Sequence, residues 1–148
     1  MRLVIKNISS DQYINDIPLS YKLYDNNSFT GYLKYNNKLA ALSRVYVKKH
    51  SSNVELADIY IIEELRGKKA PNGKKWSHII MKSMLNAIKR RKFKRIWLWV
   101  TCDNIKAIKL YEKFNFKFKK FPVNLKNKIY KKHKWLRGHK IVYMIRSA

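Results

Sequence analysis

The chain has 148 residues, 46% hydrophobic and 14% aromatic, with a net charge of +25. That is the length of one domain, residues 1–148, able to bury a core, and it is too apolar for a disordered polycation. Its one cysteine excludes an internal disulfide framework and any cysteine-based zinc site.

In chain order, MRLVIKN reads as a first strand, and MRLVIKNISSDQ has no apolar stretch of the kind a signal peptide carries. SSDQYINDIPLSYKLYD offers cap residues and spaced apolar positions, which predicts one or two short helices broken near Pro18. FTGYLKYNNKLAALSRVYVKKH is a hairpin signal, two β-rich runs around Asn36-Asn37. NVELADIYII is a fourth strand; its IYII run is far too short for a membrane span. EELRGKKAPNGKK is a polar loop. SHIIMKSMLNAIKRR is the clearest helix, with Ile80, Met81, Met84, Leu85 and Ile88 on one stripe. KRIWLWVT is a buried fifth strand. CDNIKAIKLYEKFNF holds a short helix behind the capping residues Asp103 and Asn104, with Ile105, Ile108, Tyr111 and Phe114 as its apolar positions. KFKFKKF and HKIVYMIRS close the chain as strands around a basic loop, NLKNKIYKKHKWLRG.

The strand-helix-strand unit from Val54 to Thr101 requires a parallel pair, and the hairpin makes the sheet mixed. The expected fold is therefore α/β with a mixed sheet. A reducing, cytoplasmic setting is expected, with no membrane partner and a monomer or homodimer.

The charge admits a polyanionic partner, nucleic acid or a phosphorylated ligand. The same mixture of Lys, Asn, Ile and Tyr is also what A/T-rich codons produce. One place is more pointed. The loop carrying Arg66, Gly67, Lys68, Lys69, Gly73, Lys74 and Lys75 feeds a helix expected to begin at Ser77. A helix N-terminus has unpaired N–H groups and a positive dipole end, so such a loop can wrap a pyrophosphate. A solvated charged loop is the plainer reading. The four histidines show no ligand spacing, so no metal is expected, and Cys102 is expected to pack at the end of a strand.

ELADIYIIEELRGKK, the helix after it and DNIKAIKLYEKFNF together resemble the GNAT superfamily of acetyl-CoA-dependent N-acetyltransferases. The similarity runs from Asn53 to Phe118. It implies a mixed, mostly antiparallel sheet flanked by helices, with splayed parallel fourth and fifth strands and acetyl-CoA in the opening. The pantetheine would pair with Ile59, Tyr60 and Ile61, and the pyrophosphate would lie on the loop from Arg66 to Trp76 and Ser77. The family's loop is shorter. Here KKAPNG is inserted and Lys75 stands at a glycine position, so the loop could instead begin at Asn72-Gly73.

The resemblance also assigns Asn104 and Ala107 to the coenzyme and places the Tyr111 hydroxyl at its sulfur. On the residues alone Tyr111 is a core aromatic. Asn115 stands where the family stops this helix with a left-handed glycine. A base for the amine would come from the fourth strand, Glu55 first and Asp58 second. Strict alternation puts these on opposite faces, and a bulge would change that. A fifth-strand glutamate used by some members is replaced by Trp99. The implied activity is transfer of acetyl from acetyl-CoA to a primary amine: a protein N-terminus, an amino sugar or an RNA-linked amine. The alternative is a non-catalytic nucleic-acid-binding module on the same scaffold.

Overall fold

The computed structural model describes residues 3–7, 13–14, 17–18, 28–48 and 50–148, with side chains from residue 28 onward. They fall into two compact units: residues up to Ile96 with Ala148, and Trp97–Ser147.

In the first unit the strand order is β1 (Leu3–Asn7), β4 (Phe29–Tyr35), β5 (Lys38–Val47), β6 (Asn53–Ile61), each antiparallel to the next. The β4–β5 turn is Asn36-Asn37, both at positive φ (53° and 62°). That is the backbone a two-residue hairpin turn requires, and asparagine tolerates it. The segment predicted as helical differs. Tyr13–Ile14 (β2) pairs with Ile17–Pro18 (β3), and the rest of the segment lies outside the described residues. Pro18 biases Ile17 toward extended backbone, against helix.

Helix α1 (Trp76–Arg90) buries Trp76, Ile80, Met81, Met84, Leu85, Ala87 and Ile88, the expected stripe extended by one turn. It begins one residue before Ser77, on Lys75. Its C-cap Arg91 lies 4.2 Å above the Phe29 ring. Phe29 pairs with Val45, and Val45 with Leu56. Phe29, Val45, Val47, Val54 and Leu56 therefore form the apolar face beneath α1. The opposite face carries Thr30, Arg44, Tyr46 and Glu55.

In the second unit the strand order is β7 (Arg95–Thr101, its first two residues belonging to the first unit), β9 (Ile141–Ser147), β8 (Lys117–Lys119). Helix α2 spans Ile105–Lys113. The predicted basic loop is instead largely helical: α3 spans Leu125–Lys132 and a 3-10 turn spans Lys134–Leu136. Ile129, Leu136 and Ile141 form a core there against Trp97, Trp99, Phe121, Leu125 and Tyr130. The helix was hidden because its apolar stripe is narrow and its N-cap, Asn124, sits at φ 67° without a side-chain cap bond. Cys102 is exposed rather than packed. No helix among the described residues is long and apolar enough to cross a membrane.

Candidate active site

Strand β6 is bulged at the second of its two carboxylates. Leu42 pairs with Tyr60 and Arg44 with Ala57, so Asp58 and Ile59 together oppose the single residue Ser43. Asp58 takes φ 53°, a left-handed conformation that aspartate tolerates better than most residues. The extra residue cancels strict alternation. The Asp58 carboxylate accepts hydrogen bonds from Arg44 Nη1 at 3.1 Å and from the Tyr46 hydroxyl at 2.9 Å, both through Oδ2. Tyr46 pairs directly with Glu55. Both carboxylates are thus on the face opposite α1, Glu55 half-buried and Asp58 more exposed.

Arg44 and Tyr46 are the residues that the sequence reading missed. Arg44 is 0% exposed, and a buried guanidinium needs a carboxylate. The signal was a lone arginine inside the apolar run LAALSRVYV.

Beyond β6 the chain makes a 3-10 turn at Glu63–Leu65 and enters the basic loop. Arg66 folds back: its Nε donates to the Ile61 carbonyl at 2.9 Å and its guanidinium lies 5.3 Å from the Tyr60 ring. The inserted residues close on themselves. The Gly73 amide donates to the Ala70 carbonyl at 2.9 Å, the Ala70 amide to the Lys74 carbonyl at 2.7 Å, and the Lys74 amide to Asn72 Oδ1 at 3.1 Å. Pro71 at the first central position and Gly73 at φ 80° suit this turn. The amides of Ala70, Gly73 and Lys74 are therefore spent inside it, and Pro71-Asn72 is its tip.

At the start of α1, Lys74 and Lys75 are exposed and the first turn holds no acidic residue. His78 already donates to the Lys75 carbonyl at 3.1 Å. The Trp76 side chain, 2% exposed and 5.4 Å from the Tyr35 ring, is core; only its backbone belongs to the loop. Gly67 takes φ 72°.

In the second unit Asn104 caps α2, its Oδ1 accepting from the Ala107 amide at 3.3 Å. The helix stops at Asn115, φ 69°. Phe116 donates its amide to the Tyr111 carbonyl and Asn115 to the Glu112 carbonyl, both at 3.0 Å. This is the Schellman arrangement, in which the residue after the left-handed stop packs on the helix's last turn. Here the Phe116 ring meets the half-buried Tyr111 ring edge-on at 6.0 Å. Arg146 completes the stop: its Nη1 donates to the Phe114 carbonyl at 2.7 Å, and burial lowers its pKa from the usual arginine value. Trp99 lies 5.1 Å from the His133 ring.

The model of the acetyltransferase (GNAT) family matches residues 5–116. Among curated proteins none matches. Solved structures do. A GNAT family acetyltransferase from Elizabethkingia anophelis with acetyl-CoA bound aligns at TM-score 0.66 and 14% identity, covering 99% of this chain and 98% of that one. The IAA acetyltransferase of Bacillus cereus aligns at TM-score 0.68 and 13% identity, covering 99% and 100%. The ribosomal-protein-S18-alanine N-acetyltransferase of Escherichia coli aligns at TM-score 0.64 and 17% identity, covering 99% and 94%. At these identities the structural matches show the fold, a mixed and mostly antiparallel sheet with flanking helices, while the family model spans most of the chain. The chain belongs to the GNAT acetyltransferase family, the acetyl-CoA-dependent N-acetyltransferases.

Proposed function

We propose that this chain acetylates a primary amine other than a polyamine, with Glu55 as the base and Tyr111 as the acid. The bulge at Asp58 carries the reading. It puts the Asp58 carboxylate on the Glu55 face, where Arg44 and Tyr46 engage it; Asp58 is then a positioning group, and Glu55 keeps the role of base that the family resemblance gives it first.

Acetyl-CoA supplies the activated acyl group. The residues fit it in three places. The backbone of Ile59, Tyr60 and Ile61 takes the pantetheine. The two ends of the basic loop take the pyrophosphate: Gly67, Lys68 and Lys69 on one side, and Lys74, Lys75, Trp76 and Ser77 on the other. Lys68, Lys69, Lys74 and Lys75 offer ammonium groups, and Gly67, Trp76 and Ser77 offer backbone amides, both of which suit phosphate oxygens. Asn104 keeps its side-chain amide donor for the coenzyme while its oxygen caps α2, and Ala107 in the first turn allows close approach.

In the reaction the amine nitrogen bonds to the acyl carbon, and the carbon–sulfur bond breaks. Glu55 takes the amine's proton, and the Tyr111 hydroxyl gives one to the departing thiolate. A surface of +25 repels polycationic acceptors at long range. An N-terminal amine, an amino sugar or an RNA-linked amine fits better. The deciding experiment is thiol release over an acceptor panel for the parent, Glu55→Gln and Asp58→Asn. Glu55→Gln should lose most rate at low pH, where little amine is neutral, with acetyl-CoA affinity retained. Identical pH profiles for Glu55→Gln and the parent would rule Glu55 out.

A further inference from the structure

The last quarter of the chain differs in charge from the rest. From Lys113 to Ala148 there are 12 Lys and Arg residues and no Asp or Glu; all nine acidic residues of the chain lie at or before Glu112. A bias toward lysine codons raises the cations everywhere. It does not strip the acids from one segment.

The fold turns that segment into a surface within the second unit. Lys126, Lys128 and Lys131 on α3, Lys134 on the 3-10 turn, and Arg137 and Lys140 beyond it are all exposed. At the C-terminal end of α3 stands Trp135, 63% exposed, its ring 6.4 Å from Trp99 and 6.3 Å from His139. The backbone that carries it is anchored on both sides. Its neighbour Leu136 is completely buried, and the Tyr130 hydroxyl donates to the His139 carbonyl. At the other end of α3 is an open groove of about 710 Å³ lined by Phe118, Lys119, Lys120, Phe121, Lys126 and Tyr143. The Lys126 ammonium lies 5.9 Å from the Phe121 ring. The eight residues of α3, a helix roughly 12 Å long, lie between the two aromatic sites in the chain.

We propose that this face binds single-stranded nucleic acid, with Trp135 as a base-stacking platform, the Phe118–Phe121 groove as a second, and the lysines of α3 following the phosphates between them. Exposed aromatics interleaved with cations are what an unpaired strand needs: faces for bases and charge for the backbone. An acidic peptide would use the charge but does not bring a stacking ring with each unit, as a nucleotide strand does. An anionic bilayer would use the charge but favours contiguous apolar insertion over rings separated by lysines. The inference does not depend on the acceptor or on the assigned acid and base, and its test reads binding rather than turnover.

The test is fluorescence anisotropy of a labelled oligouridine of about 12 nucleotides with the whole chain. Binding should weaken linearly in log–log with salt. Trp135→Ala should cost about tenfold in affinity, while Trp135→Phe, which keeps a ring, retains most of it. Changing Lys119, Lys120 and Lys126 to Gln should flatten the salt slope by about two, at about 0.7 per phosphate contact. A duplex of the same length, whose base faces are hidden, should bind less well. Undiminished binding by Trp135→Ala, equal affinity for the duplex, or displacement of the oligouridine by vesicles of anionic lipid would each overturn the proposal.

Discussion

Tyr111 serves helix α2 with its ring and, in the proposed reaction, the thiolate with its hydroxyl. The two roles separate in Tyr111→Phe. The ring still meets Phe116 and the stop at Asn115 stays intact, so the melting temperature should move little. The rate kcat should fall by about 10²–10⁴-fold, the usual worth of a general acid, with acetyl-CoA affinity nearly unchanged. Full turnover in a folded Tyr111→Phe protein would leave the tyrosine as packing alone. Asn115 gives the converse case. Its φ of 69° disfavours any residue with a branched or bulky side chain. Asn115→Val should therefore lower stability by about 1–2 kcal/mol, whereas Asn115→Gly should not, as chemical denaturation would read.

Two elements set the proposed site: the bulged strand β6 and the start of α1. In β6 the buried Arg44 depends on Asp58. Asp58→Ala leaves a guanidinium without its carboxylate at a fully buried position, whereas Arg44→Met removes the charge that needs pairing. Breaking such a pair from the carboxylate side costs up to about 3 kcal/mol. Asp58→Ala should therefore be the less stable variant; the reverse order in urea melts would deny the pair its structural role. At α1, Lys74 and Lys75 sit where the helix dipole favours anions. Changing both to Glu should leave the fold as stable or raise it by about 0.5 kcal/mol, yet weaken coenzyme A binding. Titration calorimetry and a melt on one preparation would show this opposition, and unchanged affinity would remove both lysines from the phosphate site.

At the scale of the molecule, the 34 cationic residues, with 9 acidic ones to offset them, repel one another. That self-repulsion weakens the compact state and is screened by salt, with a Debye length of about 10 Å at 0.1 M. The melting temperature should rise as sodium chloride is added. The association rate of anionic coenzyme A should fall over the same range, because the field that opposes folding also steers the ligand. A melting temperature independent of salt would mean that the charges are already paired off.

Much of this was open to reading in the sequence because it depends on local chemistry. The α1 stripe, the Asn36-Asn37 turn and the left-handed stop at Asn115 follow from periodicity and from which residues tolerate positive φ. The family resemblance in NIKAIKLYEKFNF agrees with the family match, because cap, stripe and stop recur at set spacings. Other features depended on partners far along the chain. Asp58 came to the Glu55 face through a two-against-one register with β5, which no alternation rule in β6 alone contains. The same bulge brings the Asp58 carboxylate to the buried Arg44. The KKAPNG insertion became a closed turn through hydrogen bonds among Ala70, Asn72, Gly73 and the following Lys74. Helix α3, with little apolar pattern of its own, took shape against Trp97 and Trp99 of another strand. Spacing along one segment was enough where a residue's conformation is set by its neighbours in sequence. Tertiary structure decided wherever a buried charge or a narrow apolar stripe had to find its complement elsewhere in the chain.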